Sequence, residues 1–457
     1  MRLFSCSFFL GSIVLMTACS KKDDMPPVPT GPVTQQEINN WVLDSMRYFY
    51  LWNDQLPANP NTSLETVAFF TGIKYTEDRF SLLYNPEDPA TYATDIRSKY
   101  GIDYSIINWP QRPEGVIGVI KLVVPGSYAA AAGLKRGSYF TRINGTSLTA
   151  ANAATLSEQL RTATTGTITP ATVSGTTITE NTAVLLQGRP VTPNPVYTST
   201  LINGATRKTG YLFYNAFIDA YNTSLLDVFR NFKSQGITEL IIDIRYNTGG
   251  SLAAAAMLTA LIAPDVTDQS VFVQYSGNNR LGSRTLSFAT ALSVPENADP
   301  ISFSTLTSAR LHLPRIFLLT GSQTVSAAEL LVNNLKPYTK VIQIGETTVG
   351  KDKGAVLIKD MRSPRRIPWV VQPLTYRLSN ADGNGNYTHG IAPQYAVDEM
   401  SQQPLLPLGD ANDPLVAKAL SVIAGNVRAA AESNNSHRHF YDAGRQAAAN
   451  SMVIIPR

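Results

Sequence analysis

The 457-residue chain holds two cysteines and four histidines, and that scarcity closes off much metal chemistry. His312, His389, His437 and His439 stand at no spacing that, with one mature cysteine, would build a zinc site. The sequence gives no reason to expect a metal or a cofactor. Charge is also sparse: charged residues are 16% of the chain, and 38 Lys+Arg against 34 Asp+Glu leave +4. No run of five or more basic residues occurs, so a nucleic-acid partner lacks its electrostatic footprint. The apolar stretch at the start, Leu3 to Met16, is shorter than the about 20 residues a spanning helix needs. No internal repeat is evident. Hydrophobic residues, in contrast, make up 44%, which argues against wholesale disorder. At roughly 150 residues per domain the length suits about three domains.

The first residues read as export machinery. Arg2 precedes the apolar stretch, and Met16-Thr17-Ala18-Cys19 is followed by Ser20-Lys21-Lys22-Asp23-Asp24. This pattern is a signal peptide over residues 1–18. Cys6 leaves with it, so no intrachain disulfide is possible in the mature chain. The small residues before Cys19 resemble a bacterial lipobox, which implies acylation of Cys19 and a membrane contact through that lipid. The charged run resembles the tag that sends lipoproteins of Bacteroidetes-type bacteria to the cell surface. The expected location is therefore the cell envelope, as an outer-membrane lipoprotein facing the periplasm or the outside.

A proline-marked tether (19–33) leads to residues 34–84, where Ile38, Trp41, Val42, Met46 and Phe49 recur at helical spacing. A small helical domain is expected there. Residues 85–190 alternate short β-like runs with turns. At their centre, Val124-Pro125-Gly126-Ser127 leads to an alanine helix, Ala129 to Ala132, stopped by Gly133-Leu134. Tyr139 to Ile143 then reads as a strand ending in the Asn144-Gly145 turn. From 195 to 425 strands and helices alternate, the pattern of an α/β core. The polar residues 426–457 read as a poorly ordered tail.

Three loops of the core each follow a buried strand, where α/β sheets form crevices. One is Asp243-Ile244-Arg245-Tyr246-Asn247-Thr248-Gly249-Gly250, whose glycines permit close approach and free N–H groups. Another is Thr324-Val325-Ser326-Ala327-Ala328-Glu329, with Ser326 opening a helix. Ser-x-x-Glu there is a capping box, yet a serine nucleophile would use the same place. The last is Gly345-Glu346-Thr347-Thr348-Val349-Gly350-Lys351. A loop lysine is ordinarily solvated; burial beside Ser326 would instead bring its pKa from about 10.4 to roughly 7–8, as a general base needs.

Taken together, the three loops resemble those of the C-terminal processing peptidases, or tail-specific proteases, over about residues 85 to 400. That family carries Asp-Leu-Arg-x-Asn-x-Gly-Gly, Thr-x-Ser-x-x-Glu and Gly-x-x-Thr-x-Gly-Lys, and the serine-to-lysine spacing of 25 also matches. The resemblance implies an α/β protease core of the ClpP/crotonase-like kind, with an α+β PDZ-like domain and a small helical N-terminal domain. It implies Ser326 as nucleophile, Lys351 as general base, and Gly250 and Ala327 N–H groups as an oxyanion hole. It further implies a serine endopeptidase acting on polypeptides through C-terminal or unfolded segments. The PDZ-like stretch carries Gly101 and Ile102 as the expected carboxylate-binding residues.

Two departures matter. The position that holds glutamine in many relatives is Ala355, which leaves open what orients the lysine, and Lys353 is a second lysine in the same loop. The rival readings are a non-catalytic peptide-binding adaptor on the same fold and a serine–histidine arrangement using His389.

Overall fold

Uninterrupted aliphatic runs form the centre of the fold. The computed structural model describes residues 31–92, 95–188, 194–203, 207–426 and 438–445. The expected signal peptide (1–18), Cys19 and nearly all of the tether lie outside these residues, as do 427–437 and 446–457 of the tail. Among the described residues no helix is long and apolar enough to cross a membrane.

The N-terminal segment contributes α1 (Gln35–Phe49), whose first turn is capped by the Thr34 side chain, and α2 (Thr66–Ile73). The middle module comprises α3 (Ile96–Tyr100), β1 (Ile102–Asn108), β2 (Val116–Val123), α4 (Tyr128–Ala131), β3 (Tyr139–Ile143), α5 (Ala153–Thr162), β4 (Thr165–Ser174) and β5 (Thr177–Glu180). The core then runs β6 (Val196–Asn203), β7 (Lys208–Tyr214), α6 (Asn222–Ser234), β8 (Glu239–Asp243), α7 (Leu252–Ile262), β9 (Arg315–Thr320), α8 (Ala327–Leu335), β10 (Lys340–Gly345), β11 (Tyr395–Ala396) and α9 (Pro414–Ile423). A strand β12 (His439–Asp442) follows.

The core sheet has the order β11-β10-β9-β8-β7-β6, parallel except for β6. Its central strands are buried on both faces, as parallel strands covered by helices must be. Leu240, Ile242, Ile316 and Leu318 point into one apolar cluster with α7 and α8. Ile241, Phe317 and Leu319 alternate into another, under α9. Parallel pairing has one consequence for function: the loops after β8, β9 and β10 emerge at the same sheet edge.

The N-terminal segment shares an apolar cluster with the core. Val42, Leu43, Met46, Phe69 and Phe70 belong to the same cluster as α7 and α8. Leu82–Tyr84 pairs with Val370–Gln372, and Leu51 N–H donates to the Leu374 carbonyl at 2.8 Å. The middle module does own a separate core, built from Ile102, Tyr104, Ile106, Phe140, Leu156 and Leu160. Its sheet has the order β12-β1-β2-β3-β4-β5. The tail expectation is corrected here: His439–Asp442, read as part of a poorly ordered segment, is an edge strand of this sheet.

Candidate active site

The loop after β8 is fixed from both ends. Asn247 Nδ2 donates to the Tyr214 carbonyl at 2.9 Å, and its Oδ1 accepts from Gly249 N–H at 2.8 Å. The loop after β9 is sewn to it: Thr324 Oγ1 donates to the Ile244 carbonyl at 2.8 Å, and Val325 N–H to the Asn247 carbonyl at 3.2 Å. Gly249 then lies flat on the helix start. A Cβ there would stand 2.7 Å from Ser326 Cβ and 3.0 Å from Ala327 N, so only glycine fits.

Ser326 sits at φ 65°, ψ −120°, a conformation that a residue with a side chain adopts only when its surroundings impose it. It is buried, and its Oγ makes no hydrogen bond of good geometry. Among the described residues no hydrogen bond engages the N–H of Gly250 or of Ala327. The two free donors, the hydroxyl and the N-terminus of α8 therefore share one edge of the sheet. Such an arrangement can receive a developing oxyanion.

Glu329 joins this helix start to the lysine loop. Its Oε2 accepts from Ser326 N–H at 2.9 Å and from Lys351 N–H at 2.8 Å. Its Oε1 accepts from Gly350 N–H at 2.6 Å and from the Thr348 hydroxyl. One buried carboxylate thus holds two loops by main-chain atoms. Burial pushes this carboxyl above its usual range, opposed by Thr348 and by the N–H groups of Lys351, Ser326 and Gly350.

Lys351 is buried, with Nζ 5.2 Å from the centre of the Phe80 ring. Phe80 packs with Ala355 and Leu374 in a small apolar cluster that Trp52 and Val349 border. Desolvation dominates, and although Glu329 and Asp78 pull the other way, the amine's pKa is pushed down to about 7. Lys353 is placed differently, its ammonium on Asp352 and near the Trp52 ring. His389 is exposed on the closing segment, and no contact among the described residues joins it to Ser326.

Three contributors were not foreseen from sequence: Asp78, Arg79 and Phe80, from the N-terminal segment. Arg79 reaches the Thr388 carbonyl at 3.0 Å and the Gly350 carbonyl at 3.4 Å. Asp78 is held by the Tyr50 hydroxyl at 2.8 Å and by the N–H groups of Phe80 and Ser81, both at 2.9 Å. Nothing in their local pattern marks these residues; they become visible only when the segment folds against the core.

Gly101 has a task other than the expected one. At φ 76° it ends α3, its N–H donating to the Arg97 carbonyl and its carbonyl accepting from Val124 N–H. That N–H is engaged and cannot receive a peptide carboxylate. Ile102 is a buried β1 residue opposite Val123.

A second buried cluster braces the first loop. Arg245 pairs with Asp243 at 2.7 Å, with Asp413 at 2.9 Å and with Glu399 at 3.3 Å. Arg136 of the middle module reaches the same Glu399 and Asp413, and Arg97 Nη1 donates to the Tyr246 carbonyl at 2.7 Å.

Comparison with known proteins gives matches over the same regions. The description "Peptidase family S41" fits residues 208–397, and "Peptidase S41 N-terminal domain" fits residues 37–82. A carboxyl-terminal-processing protease of Picosynechococcus sp. is 26% identical over 245 residues, 52% of this chain and 52% of the relative. The chain thus matches about half the length of that curated relative. A solved structure from Bacteroides fragilis NCTC 9343, assigned to the S41 proteases, is 26% identical, with a TM-score of 0.69. That likeness covers 88% of this chain and 100% of the other.

Proposed function

The chain belongs to peptidase family S41, and from that premise we propose that it is a serine endopeptidase working through a Ser326–Lys351 dyad. The observation that carries this reading is the Glu329 carboxylate, which ties the main chain at Ser326 to the main chain at a buried lysine whose pKa is about 7.

In the proposed sequence, neutral Lys351 Nζ takes the Ser326 Oγ proton as Oγ attacks the substrate carbonyl carbon. The N–H groups of Gly250 and Ala327 donate to the tetrahedral oxyanion. Collapse breaks the C–N bond, and the lysine passes its proton to the departing amine. Water then repeats the attack on the acyl-serine, with Lys351 again accepting and returning the proton. Glu329 acts as a positioning residue, and the apolar wall of Phe80 and Ala355 keeps the amine dry.

The middle module is proposed to be PDZ-like, selecting polypeptides by exposed C-terminal or unfolded segments. Its strand–helix order and its separate core support that reading. Acylation of Cys19, which would hold the chain to the envelope, is part of the same proposal.

The test is cleavage of mixed peptides and unfolded proteins, read by mass spectrometry, with the chain from Ser20 onward and its Ser326→Ala and Lys351→Ala forms. Cleavage by the parent and none by either variant is expected. Turnover surviving Ser326→Ala would remove the assignment, and turnover surviving only Lys351→Ala would shift the base to Lys353 or His389. No cleavage by the parent, with peptide still bound, would favour the adaptor.

A further inference from the structure

One strand of the middle sheet comes from far along the chain. β12 runs antiparallel to β1, with Ser105 opposite Asp442, Ile106 opposite Tyr441 and Ile107 opposite His439. The Arg438 carbonyl accepts from Asn108 N–H at 2.9 Å. On its other side β12 meets α5. An extended segment laid between a sheet edge and a helix is how strand addition holds a peptide: main-chain bonds supply affinity and alternate side chains supply selectivity.

The side chains of this segment are seated, not merely nearby. The Tyr441 ring lies 6.0 Å from that of Tyr104, and Phe440 packs on the module's core beside buried Ala443. Asp442 Oδ1 receives Lys121 Nζ at 2.7 Å and Gln323 Nε2 at 3.1 Å. Lys121 is itself buried and also faces Asp103 at 3.4 Å. If Asp442 departs, Asp103 still balances the ammonium, so vacating the groove does not strand a buried charge. The apolar contacts of β12 are with the middle module's own cluster, and the catalytic core does not depend on them.

We propose that the groove between β1 and α5 is a peptide-binding site whose resident occupant is this chain's own segment His439–Asp442. An incoming extended polypeptide with two aromatic residues followed by a carboxylate enters by displacing it. The proposal rests on the peptide-binding reading of the middle module and not on the cleavage chemistry. It also gives the occupant a line to the catalytic edge, because Gln323 stands three residues before Ser326.

The probe is a fluorescently labelled peptide of residues 438–445, titrated by anisotropy in a Ser326→Ala background so that cleavage plays no part. The chain from Ser20 onward is compared with one ending at Asn426, its folding checked by thermal unfolding. The shortened chain should bind saturably and at least tenfold more tightly than the full one, and a peptide with alanine at the Asp442 position should lose at least tenfold. Equal affinity for both chains, or no saturable binding by a folded shortened chain, would overturn the proposal. Should the shortened chain fail to fold, the full chain with Phe440→Gly and Tyr441→Gly takes its place. It must bind the probe more tightly than its parent, and equal binding overturns the proposal. Because the readout is binding alone, its failure is distinct from an absence of peptidase activity.

Discussion

Arg245 and Lys351 are both cations sealed from solvent at the same edge of one sheet, and they have opposite fates. Burial alone would weaken the hold of each on its proton. Around Arg245, Asp243, Asp413 and Glu399 outweigh that effect and keep the guanidinium well above its usual value. Around Lys351, Glu329, which holds four donors, and Asp78, held by Tyr50, Phe80 and Ser81, favour the ammonium without offsetting burial. The chain builds a permanent ion at one place and a titratable base at the other by deciding where its carboxylates point. The first joins the middle module to the core; the second is left able to exchange a proton.

The largest effect should come from breaking the paired cation. Arg245→Met leaves Asp243 buried with the Tyr211 hydroxyl but no cation, and Asp413 with the more distant Arg136, and should cost about 3–5 kcal/mol in denaturant unfolding. Breaking the other cation should do the reverse. Lys351→Met is expected to abolish cleavage and raise stability, because the parent must keep an amine whose pKa falls from 10.5 to about 7 on folding. That penalty, on the order of 5 kcal/mol, is complete below about pH 7 and fades as pH rises towards the unfolded value. The stability gap between parent and variant should therefore shrink from neutral to alkaline pH, and a gap independent of pH would contradict the comparison.

Glu329→Gln sharpens it most finely. The variant keeps the side chain's outline, loses the charge that favours protonated Lys351 and, with an NH2 at one end, can accept only two of the four donors. Its kcat/KM should fall about 10²-fold. The rising limb of its pH profile, near pH 7 in the parent, should move to lower pH. A drop in rate with an unmoved limb would assign Glu329 to structure alone.

Much of the core was legible because its signals are local. The helix that Ser326 opens emerges from sequence, and the buried strands before the three loops show as continuous apolar runs. The dyad candidates follow from motif order. What the sequence hides is long-range. Asp78 and Phe80 meet Lys351 across more than half the chain, and β12 is four residues among polar neighbours, too short for a period to declare itself. Gly101 misleads for the opposite reason: a glycine before a strand suits a carboxylate loop and a helix end equally well. The missing glutamine at position 355 left the lysine's orientation open, with Glu329 as a candidate, and a carboxylate gripping main chain has no sequence signature distinct from a capping box.

That grip has a practical consequence. Because Glu329 binds N–H groups at positions 326, 350 and 351, replacing the side chain of either Ser326 or Lys351, the proposed dyad, leaves the seam between the two loops intact. The Ser326→Ala form, inert under the proposed mechanism, should therefore keep the parent's shape around an unconsumed polypeptide. It would serve as a trap: expressed in its own cell and recovered with whatever it holds, it would let the cell itself name the substrate.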